Sequence, residues 1–388
     1  MPLITKVLKV YFRKQGCTVK ILVTSDVHAD LFKDYDEPLP GKPYGTRFER
    51  LLNAIGLIYD KAFQMSADMV VINGDLYNTR TSINPIVTHY IQKVIKEYQN
   101  VHGTFIPTVI NVGNHDQYDN SRVPFNSVST FEELFSTITV TKVPTLMTDP
   151  NGGDTICIFI PYSEDVDWLK GEFDKCMVEY HELYEGQPLL VFGHLGVDGA
   201  VQGRWNHRLG GAFSLGDLHA EEADMVILGH YHKRQNLTPN VFYTGNPVGI
   251  NHNDDDQQKG YYVVSTEDPK NVTATFVPIP QPMFRTIDLA DTELSPEEIQ
   301  MALKSDFVRV VAHTPEQVAK VEEAQEESNN GNLGNVNVSY QKEQTFSNRL
   351  DINMNANEKE IVEAYTKEFY PEVTQLSLDT LNQAEGVK

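Results

Sequence analysis

Histidine, aspartate and asparagine residues cluster in five short motifs of this sequence. In chain order the motifs are Asp26-Val-His28, Gly74-Asp75, Gly113-Asn114-His115-Asp116, Gly193-His194 and Gly229-His230-Tyr-His232. Imidazole and carboxylate donors together are typical of sites for Mn, Fe, Zn or Ni, whereas donor sets made only of oxygen suit Mg or Ca. The motifs contain no cysteine, which excludes a thiolate zinc site. The five motifs therefore predict a metal site with nitrogen and oxygen donors.

Each motif follows a short apolar run that predicts a buried strand. The runs span 20–25, 69–73, 108–112, 189–192 and 225–228. A single buried histidine is more often a packed core residue than a ligand. Core packing does not explain five polar strand ends in succession, because buried charged groups are costly unless they are paired or bind a metal. Since α/β folds bind ligands at the carboxyl ends of their strands, the set favours one shared site.

Helical patterns alternate with these strands. Apolar residues recur on one helical face over 47–65 and over 83–98, and further strands are expected at 155–160, 241–243 and 261–265. Strands that alternate with helices are typical of layered α/β folds. The sequence therefore predicts an α/β domain that places the five motifs along one edge.

The pattern of the sequence changes at a proline cluster, residues 278–282, which is a plausible domain boundary. Beyond the cluster we expect strands at 284–289, 307–312 and 336–340, and helices from 295, over 315–327 and over 357–370. This pattern predicts four parts: a leader over 1–19, for which disorder is the favoured reading, a main domain over 20–280, a small α+β domain over 281–345, and a C-terminal helical segment over 346–388.

The charge and composition limit the class of protein. The 388 residues include 32 Lys and Arg against 54 Asp and Glu, a formal net charge of −22, of which −11 lies beyond residue 282. This charge argues against a protein that grips nucleic acid alone through a broad basic surface. Three cysteines are too few for a disulfide framework. Without a membrane-spanning apolar run or a signal peptide, we expect a cytoplasmic protein of a bacterial or phage-infected cell, with no membrane partner.

The ordered motifs resemble those of the calcineurin-like metallophosphoesterase superfamily. The resemblance covers residues 20–265 and implies a four-layer α/β/β/α sandwich with two divalent ions. One ion would be held by Asp26, His28, Asp75 and His232. The other would be held by Asp75, Asn114, His194 and His230. Manganese is the favoured metal, with Mg, Fe or Zn as alternatives.

The same resemblance implies a mechanism. A hydroxide activated by the two ions would attack phosphorus, because metal binding lowers the pKa of water towards neutrality. His115 would protonate the leaving oxygen, and Asp116 would orient His115.

Finer features look like the SbcD-type nuclease subunit of the double-strand-break processing complex, in particular its phage versions. They are the segments 74–80, 243–247 and 259–264, the strand–helix pattern over 283–340 and the C-terminal helix. This likeness implies a DNA exonuclease or endonuclease for end processing, recombination and repair, acting on duplex ends, hairpins or single strands. It also implies a DNA-capping domain, a C-terminal segment that binds an SbcC-type ATPase, and a homodimer within a heterotetramer. The sequence has Asn78 at a position where some relatives have histidine and others an acid. Asn78 and Arg80 are candidate substrate contacts.

Three alternatives stay open at this point. The chain could be a phosphomonoesterase, a small-molecule phosphodiesterase of the same superfamily, or a scaffold that binds DNA ends without catalysis. The acidic run 254–256 lacks the glycine and distal glutamate of a calcium loop, so we interpret it as a solvated loop.

Overall fold

Two six-stranded sheets dominate the computed structural model of this protein. The structure describes residues 19–99, 105–150, 154–202, 207–208, 210–254, 257–267, 271–290, 306–328, 336–340 and 358–385. The chain divides into one unit that ends at Ser339 and a second that begins at Tyr340. Residues 1–18 of the predicted leader and the helix predicted from residue 295 lie outside the described ranges. The three boundaries between the four predicted parts stay predictions.

Seventeen strands lie within the described ranges. They are β1 (Lys20–Thr24), β2 (Met69–Asn73), β3 (Thr108–Asn111), β4 (Ile138–Thr141), β5 (Thr145–Thr148), β6 (Ile156–Ile160), β7 (Leu189–His194), β8 (Val201–Gln202), β9 (His207–Arg208), β10 (Met225–Gly229), β11 (Gln235–Thr238), β12 (Val241–Tyr243), β13 (Gly260–Ser265), β14 (Thr273–Pro278), β15 (Phe284–Asp288), β16 (Phe307–Ala312) and β17 (Val336–Tyr340). Strands β1, β2, β3, β7 and β10 confirm the five apolar runs predicted to precede the motifs.

Seven α-helices lie in the same part of the chain. They are α1 (Thr46–Gln64), α2 (Pro85–Gln99), α3 (Ser129–Leu134), α4 (Val166–Leu183), α5 (Pro315–Ser328), α6 (Glu358–Phe369) and α7 (Thr374–Glu385). Helix α1 buries Phe48, Leu52, Ile55 and Tyr59 at spacings of three and four residues, as an amphipathic helix on a sheet requires. None of these helices combines the length and the apolar character that crossing a membrane requires.

The two sheets pack face to face between helical layers. The first has the order β14-β13-β1-β2-β3-β4, and the second β11-β12-β10-β7-β6-β5. Because side chains alternate along a strand, Ile21 and Val23 of β1 pack in the cluster that includes Phe192 and Ile227 of the second sheet. Leu22 instead joins the cluster of α1 and α2, and α4 packs in a cluster with β6, β7 and β10. The predicted four-layer α/β/β/α sandwich is confirmed.

Parallel pairing brings the strand ends of each sheet to one edge. In the first sheet β1, β2, β3 and β4 run parallel, and in the second β6, β7, β10 and β12 do so. Two buried asparagines connect the edges. Asn73 donates to the carbonyls of Gly193 (3.0 Å) and Ile227 (3.1 Å), and Asn111 donates to the carbonyl of Ile160 (2.9 Å). These bonds hold the carboxyl ends of both sheets together, where the five motifs begin.

A third, three-stranded sheet has the order β15-β16-β17. Its strands match the runs predicted at 284–289, 307–312 and 336–340. Phe284 and Phe307 of this sheet pack with Tyr35, and the Tyr35 hydroxyl donates to the carbonyl of Val308 (3.2 Å). The guanidinium of Arg47 lies 5.2 Å from the Phe284 ring centroid. These contacts attach the small sheet to the loop after β1 and to the start of α1.

Two histidines and two carboxylates form a network between α4 and the loop before β10. His181 Nε2, on α4, lies 2.8 Å from Glu222 Oε2. His219 Nδ1 lies 2.8 Å from Glu222 Oε1, and His219 Nε2 lies 3.1 Å from Asp174 Oδ1. Partial burial acts to lower the pKa of His219, but hydrogen bonds to the two carboxylates outweigh it, and the pKa rises above 6.5. The folded state thus binds this proton more tightly than the unfolded state.

We expect His219→Asn to destabilise the fold more in mild acid than in alkali. The network contributes fully below the unfolded pKa and loses its effect as the pH rises through the raised folded pKa. Asparagine tolerates the positive φ of 47° at this position. The free energy of unfolding, measured in urea, should fall by up to about 1 kcal/mol near pH 5.5 and by a smaller amount near pH 9. His89→Asn is the exposed control, and equal losses at both pH values would contradict the expectation.

Candidate metal centre

Four of the predicted ligands lie on strained backbone directly after strand ends. Asp26, His28, Asp75 and His230 have φ angles of 53°, 46°, 54° and 95°, in the left-handed region that non-glycine residues seldom adopt. Such conformations persist only where surrounding contacts impose them, and they concentrate at functional sites. The amide of Asp26 donates to the carbonyl of Gly74 (3.0 Å), and that of His28 to the carbonyl of Asp75 (3.0 Å). The first two motifs therefore hold each other in place.

Glycine is required where the motif loops approach one another. A Cβ at Gly113 would overlap the Asp75 carboxylate, and a Cβ at Gly74, whose φ is 91°, would overlap the ring of His194. The two glycines let the backbone come close to the predicted ligands.

The side chains of Asp26, His28 and His232 form one group with converging donor atoms. The Nε2 atoms of His28 and His232 lie 2.9 Å apart. His28 Nε2 is also 3.5 Å from Asp75 Oδ2 and 4.0 Å from Asp26 Oδ1. Two ring nitrogens and two carboxylates that face one point have the chemistry of a divalent cation site.

A second group shares Asp75 with the first. His194 Nε2 lies 3.3 Å from Asp75 Oδ2 and 3.2 Å from Asn114 Oδ1. His230 Nδ1 lies 2.9 Å from the same Asn114 oxygen. The structure thus brings all seven predicted ligands into two adjoining groups, with Asp75 contacting both.

Burial gives two of the histidines the protonation state that metal binding needs. It lowers the pKa of His28 to about 3 and that of His230 to about 4, so both imidazoles are neutral at pH 7. Burial opposes the charge of Asp75, but the adjacent His194 outweighs it and holds the pKa of that carboxyl well below its usual range. Burial also acts to lower the pKa of His194, but the charge of Asp75 outweighs it and raises that pKa to about 9. Neutral imidazole and ionised carboxylate are the ligand forms, so an ion held here would replace the proton of His194.

The residues present fit a pair of divalent ions. Asp26 and Asp75 are almost fully buried, at 0% and 1% exposure. Burial, with a further contribution from the charge of Asp75, raises the pKa of Asp26, so this pair of carboxylates is unfavourable without a cation. Ions held here would supply Lewis acidity to a phosphoester oxygen and lower the pKa of bound water.

His115 lies beside this cluster, but Asp116 does not hold its ring. The backbone N–H of His115 donates to Asp75 Oδ1 (2.8 Å), and His115 Nδ1 lies 2.6 Å from the carbonyl oxygen of Asn78. The Asp116 carboxylate instead accepts the backbone N–H groups of Gly113 (3.0 Å) and Tyr77 (3.2 Å). This differs from the expectation that Asp116 orients His115, because the buried Asp116 carboxylate satisfies backbone donors of the surrounding turns.

The two predicted substrate contacts bond to neighbouring loops. Asn78 Nδ2 donates to Asp30 Oδ2 (2.8 Å). Arg80 donates to the carbonyl of Gln117 (3.1 Å) and to Asn120 Oδ1 (2.7 Å). Both residues are thus near the loop that carries His115, and their contact with substrate stays a prediction.

The sequence did not predict the role of Asn73. Its carbonyl oxygen lies 2.8 Å from His194 Nδ1, on the side of the ring away from the cluster, while its side chain connects the two sheets. The only signal in the sequence is a polar residue that ends the apolar run of β2, directly before Gly74-Asp75.

The two-sheet sandwich and the buried Asp/His cluster define a metallophosphoesterase-type α/β protein. The chain belongs to the calcineurin-like phosphoesterase family, whose sequence profile matches residues 19–234, over half of its length. Among solved structures, the chain is similar to a dimetal phosphatase from Danio rerio, LOC 393393, with 12% identity, a TM-score of 0.36, and coverage of 66% of this chain and 98% of that chain. Family membership makes the protein a phosphoester hydrolase with an Asp/His cluster suited to two metal ions.

Proposed function

We propose that the protein is a metal-dependent DNA phosphodiesterase, a nuclease subunit that acts with an SbcC-type ATPase in DNA end processing. Manganese is the proposed metal. The mixture of imidazole and carboxylate admits Mn, Fe, Zn or Ni, and the resemblance to the SbcD-type subunit favours Mn within that set. The protein would act in the cytoplasm as a homodimer within a heterotetramer. The segments 74–80, 243–247 and 259–264, which resemble the SbcD-type subunit, support this choice within the family.

The observation that carries the proposal is the C-terminal helical unit. Helices α6 and α7 and the turn between them expose the large apolar side chains of Ile361 (46%), Tyr365 (46%), Phe369 (47%), Tyr370 (51%) and Leu376 (66%). Exposed apolar patches of this kind mark surfaces that bind another protein. A phosphomonoesterase needs no such unit, whereas a nuclease subunit that docks on an ATPase does.

The charge of the chain supports shared DNA binding. A net charge of −22 argues against a broad basic surface, and −11 of it lies beyond residue 282. Two divalent ions would add positive charge where the scissile phosphate sits. We propose that the metal centre holds that phosphate and that the ATPase supplies much of the remaining affinity for DNA.

We expect the purified chain to cleave linear duplex and hairpin DNA with Mn²⁺ and to turn over p-nitrophenyl phosphate much less efficiently. The same assay with EDTA should give no cleavage, because the reaction depends on bound ions. Products are resolved on a denaturing gel, with and without the ATPase partner.

The assay separates the nuclease from its alternatives. Activity on p-nitrophenyl phosphate alone would overturn the nuclease proposal in favour of a monoesterase. DNA-end binding with no hydrolysis under any metal condition would favour a non-catalytic scaffold.

A further inference from the structure

Asp254 is buried, although the acidic run to which it belongs was interpreted as a solvated loop. Its exposure is 2%. Asp254 Oδ1 lies 3.1 Å from the ammonium nitrogen of Lys259, which is itself 5% exposed. A buried carboxylate is tolerated when a buried cation neutralises it. For Asp254 the interpretation is wrong, because the sequence did not indicate that Lys259, five residues later, folds back onto this side chain; residues 255–256 lie outside the described ranges.

The remaining contacts of the pair lead to a predicted metal ligand. Lys259 Nζ donates to the backbone carbonyl of His232 (3.2 Å). The Asp254 oxygen that faces Lys259 also lies 3.7 Å from His232 Nδ1. The pair therefore contacts His232 through its main chain and faces the rear nitrogen of its ring.

Asp254 is held rigidly in this position. Its Oδ2 atom accepts the backbone N–H of Ile250 (2.8 Å) and the side-chain amide of Asn246 (3.1 Å). With Lys259 on Oδ1, both carboxylate oxygens are satisfied and the side chain has a single orientation. A carboxylate fixed in this way can select which nitrogen of a nearby imidazole carries the proton.

His232 is less enclosed than its neighbour His28. Its side chain is 30% exposed, whereas that of His28, whose Nε2 lies 2.9 Å from His232 Nε2, is 3% exposed. The rear nitrogen of His194, Nδ1, lies 2.8 Å from the carbonyl oxygen of Asn73. The Asp254 oxygen, at 3.7 Å from His232 Nδ1, lies beyond hydrogen-bond distance and acts on the ring through its charge. Loss of the partner behind a ligating histidine typically weakens metal binding about 10- to 100-fold.

We propose that Asp254 and Lys259 are positioning residues for His232. Asp254 keeps the proton on Nδ1 and leaves Nε2 as the donor that faces His28, while Lys259 holds the His232 backbone and neutralises Asp254. The pair thereby sets the affinity for the ion that Asp26, His28 and His232 would bind. This inference rests on the metal centre of the proposed function and adds two residues to it.

Asp254→Asn tests the inference through metal content. Wild-type protein is expected to bind two Mn²⁺ per chain in equilibrium dialysis with elemental analysis. The variant should bind one ion about 10- to 100-fold more weakly and retain the other, and the electron paramagnetic resonance spectrum should change from a coupled pair to a single ion. The kcat for DNA cleavage should fall with little change in KM. Asp306→Asn, a buried acid beside the third sheet, is the matched control.

A double variant separates positioning from folding. Asp254→Asn alone leaves Lys259 as a buried cation without its carboxylate, which destabilises the fold, whereas Asp254→Asn with Lys259→Met removes both charges. If the double variant recovers the melting temperature but still binds one ion weakly, the pair acts on His232 and not only on the stability of the fold. Recovery of both properties would overturn the inference, as would wild-type binding of both ions by Asp254→Asn.

Metal content and DNA cleavage together distinguish failure of the nuclease proposal from failure of the inference about Asp254 and Lys259. Wild-type protein that binds two ions but cleaves no DNA would overturn the nuclease proposal, while the metal-content comparison would still support the positioning pair. Wild-type protein that binds no Mn²⁺ would overturn both.

Discussion

Asp75→Asn is expected to abolish hydrolysis and to remove both metal ions together. Asp75 Oδ2 lies 3.5 Å from His28 Nε2 and 3.3 Å from His194 Nε2, so one carboxylate serves both groups of ligands. Asparagine keeps the size of the side chain and an oxygen that can accept the backbone N–H of His115, but it loses the charge. We expect DNA cleavage to fall by at least about 10³-fold, because loss of a single electrostatic contact in an active site already costs about 10²- to 10³-fold.

Metal content distinguishes a shared carboxylate from a ligand of one ion. Elemental analysis of Asp75→Asn after dialysis against Mn²⁺ should find neither ion at stoichiometric occupancy, while circular dichroism reports a folded protein. Asp149→Asn, a buried acid at the end of β5, is the matched control and should retain both ions. Retention of one ion by Asp75→Asn would refute the assignment of Asp75 to both sites.

His115→Asn is expected to slow DNA cleavage strongly while both ions stay bound. In the structure the ring contacts the carbonyl of Asn78, and only the backbone N–H of His115 bonds to Asp75. A general acid typically contributes about 10²- to 10⁴-fold, so we expect cleavage of duplex DNA to fall within that range. DNA binding measured with a fluorescent duplex should be unchanged.

The leaving group provides the sharper test of this role. Bis(p-nitrophenyl) phosphate has a leaving group that departs without protonation, so its hydrolysis should fall much less than DNA cleavage in His115→Asn. The donor atoms of His115, His28 and Asp75 also lie close enough together to hold a metal ion. Equal losses on both substrates together with loss of an ion would identify His115 as a ligand instead. His89→Asn on the exposed face of α2 is the control.

Much of the fold could be predicted because its strands have a strong local signal. Strands β2 (Met69–Asn73) and β10 (Met225–Gly229) are buried along their whole length, and each begins with four consecutive apolar residues. Such runs are recognisable without any knowledge of the tertiary structure. The same does not hold for β5 (Thr145–Thr148), whose residues are half-buried or exposed and which the sequence did not predict.

Parts of the site had no signal in the sequence. The contact that holds the His115 ring comes from the backbone carbonyl of Asn78, and a carbonyl is present in every residue. Asp254 stands in an acidic run that is typical of solvated loops, yet it is buried against Lys259. In both cases the deciding partner is brought near by folding, so no local pattern reveals it.

The motifs alone predicted which residues converge on the candidate metal centre. Imidazole and carboxylate groups that follow buried strands lie at the carboxyl ends of those strands, where α/β folds bind ligands. How these groups combine depends on tertiary packing. His28 and His232 come from different sheets, and their 2.9 Å approach depends on how the two sheets pack and how Asn73 joins their edges. The distance between two strand ends in separate sheets is set by packing across the interface, which no single segment encodes.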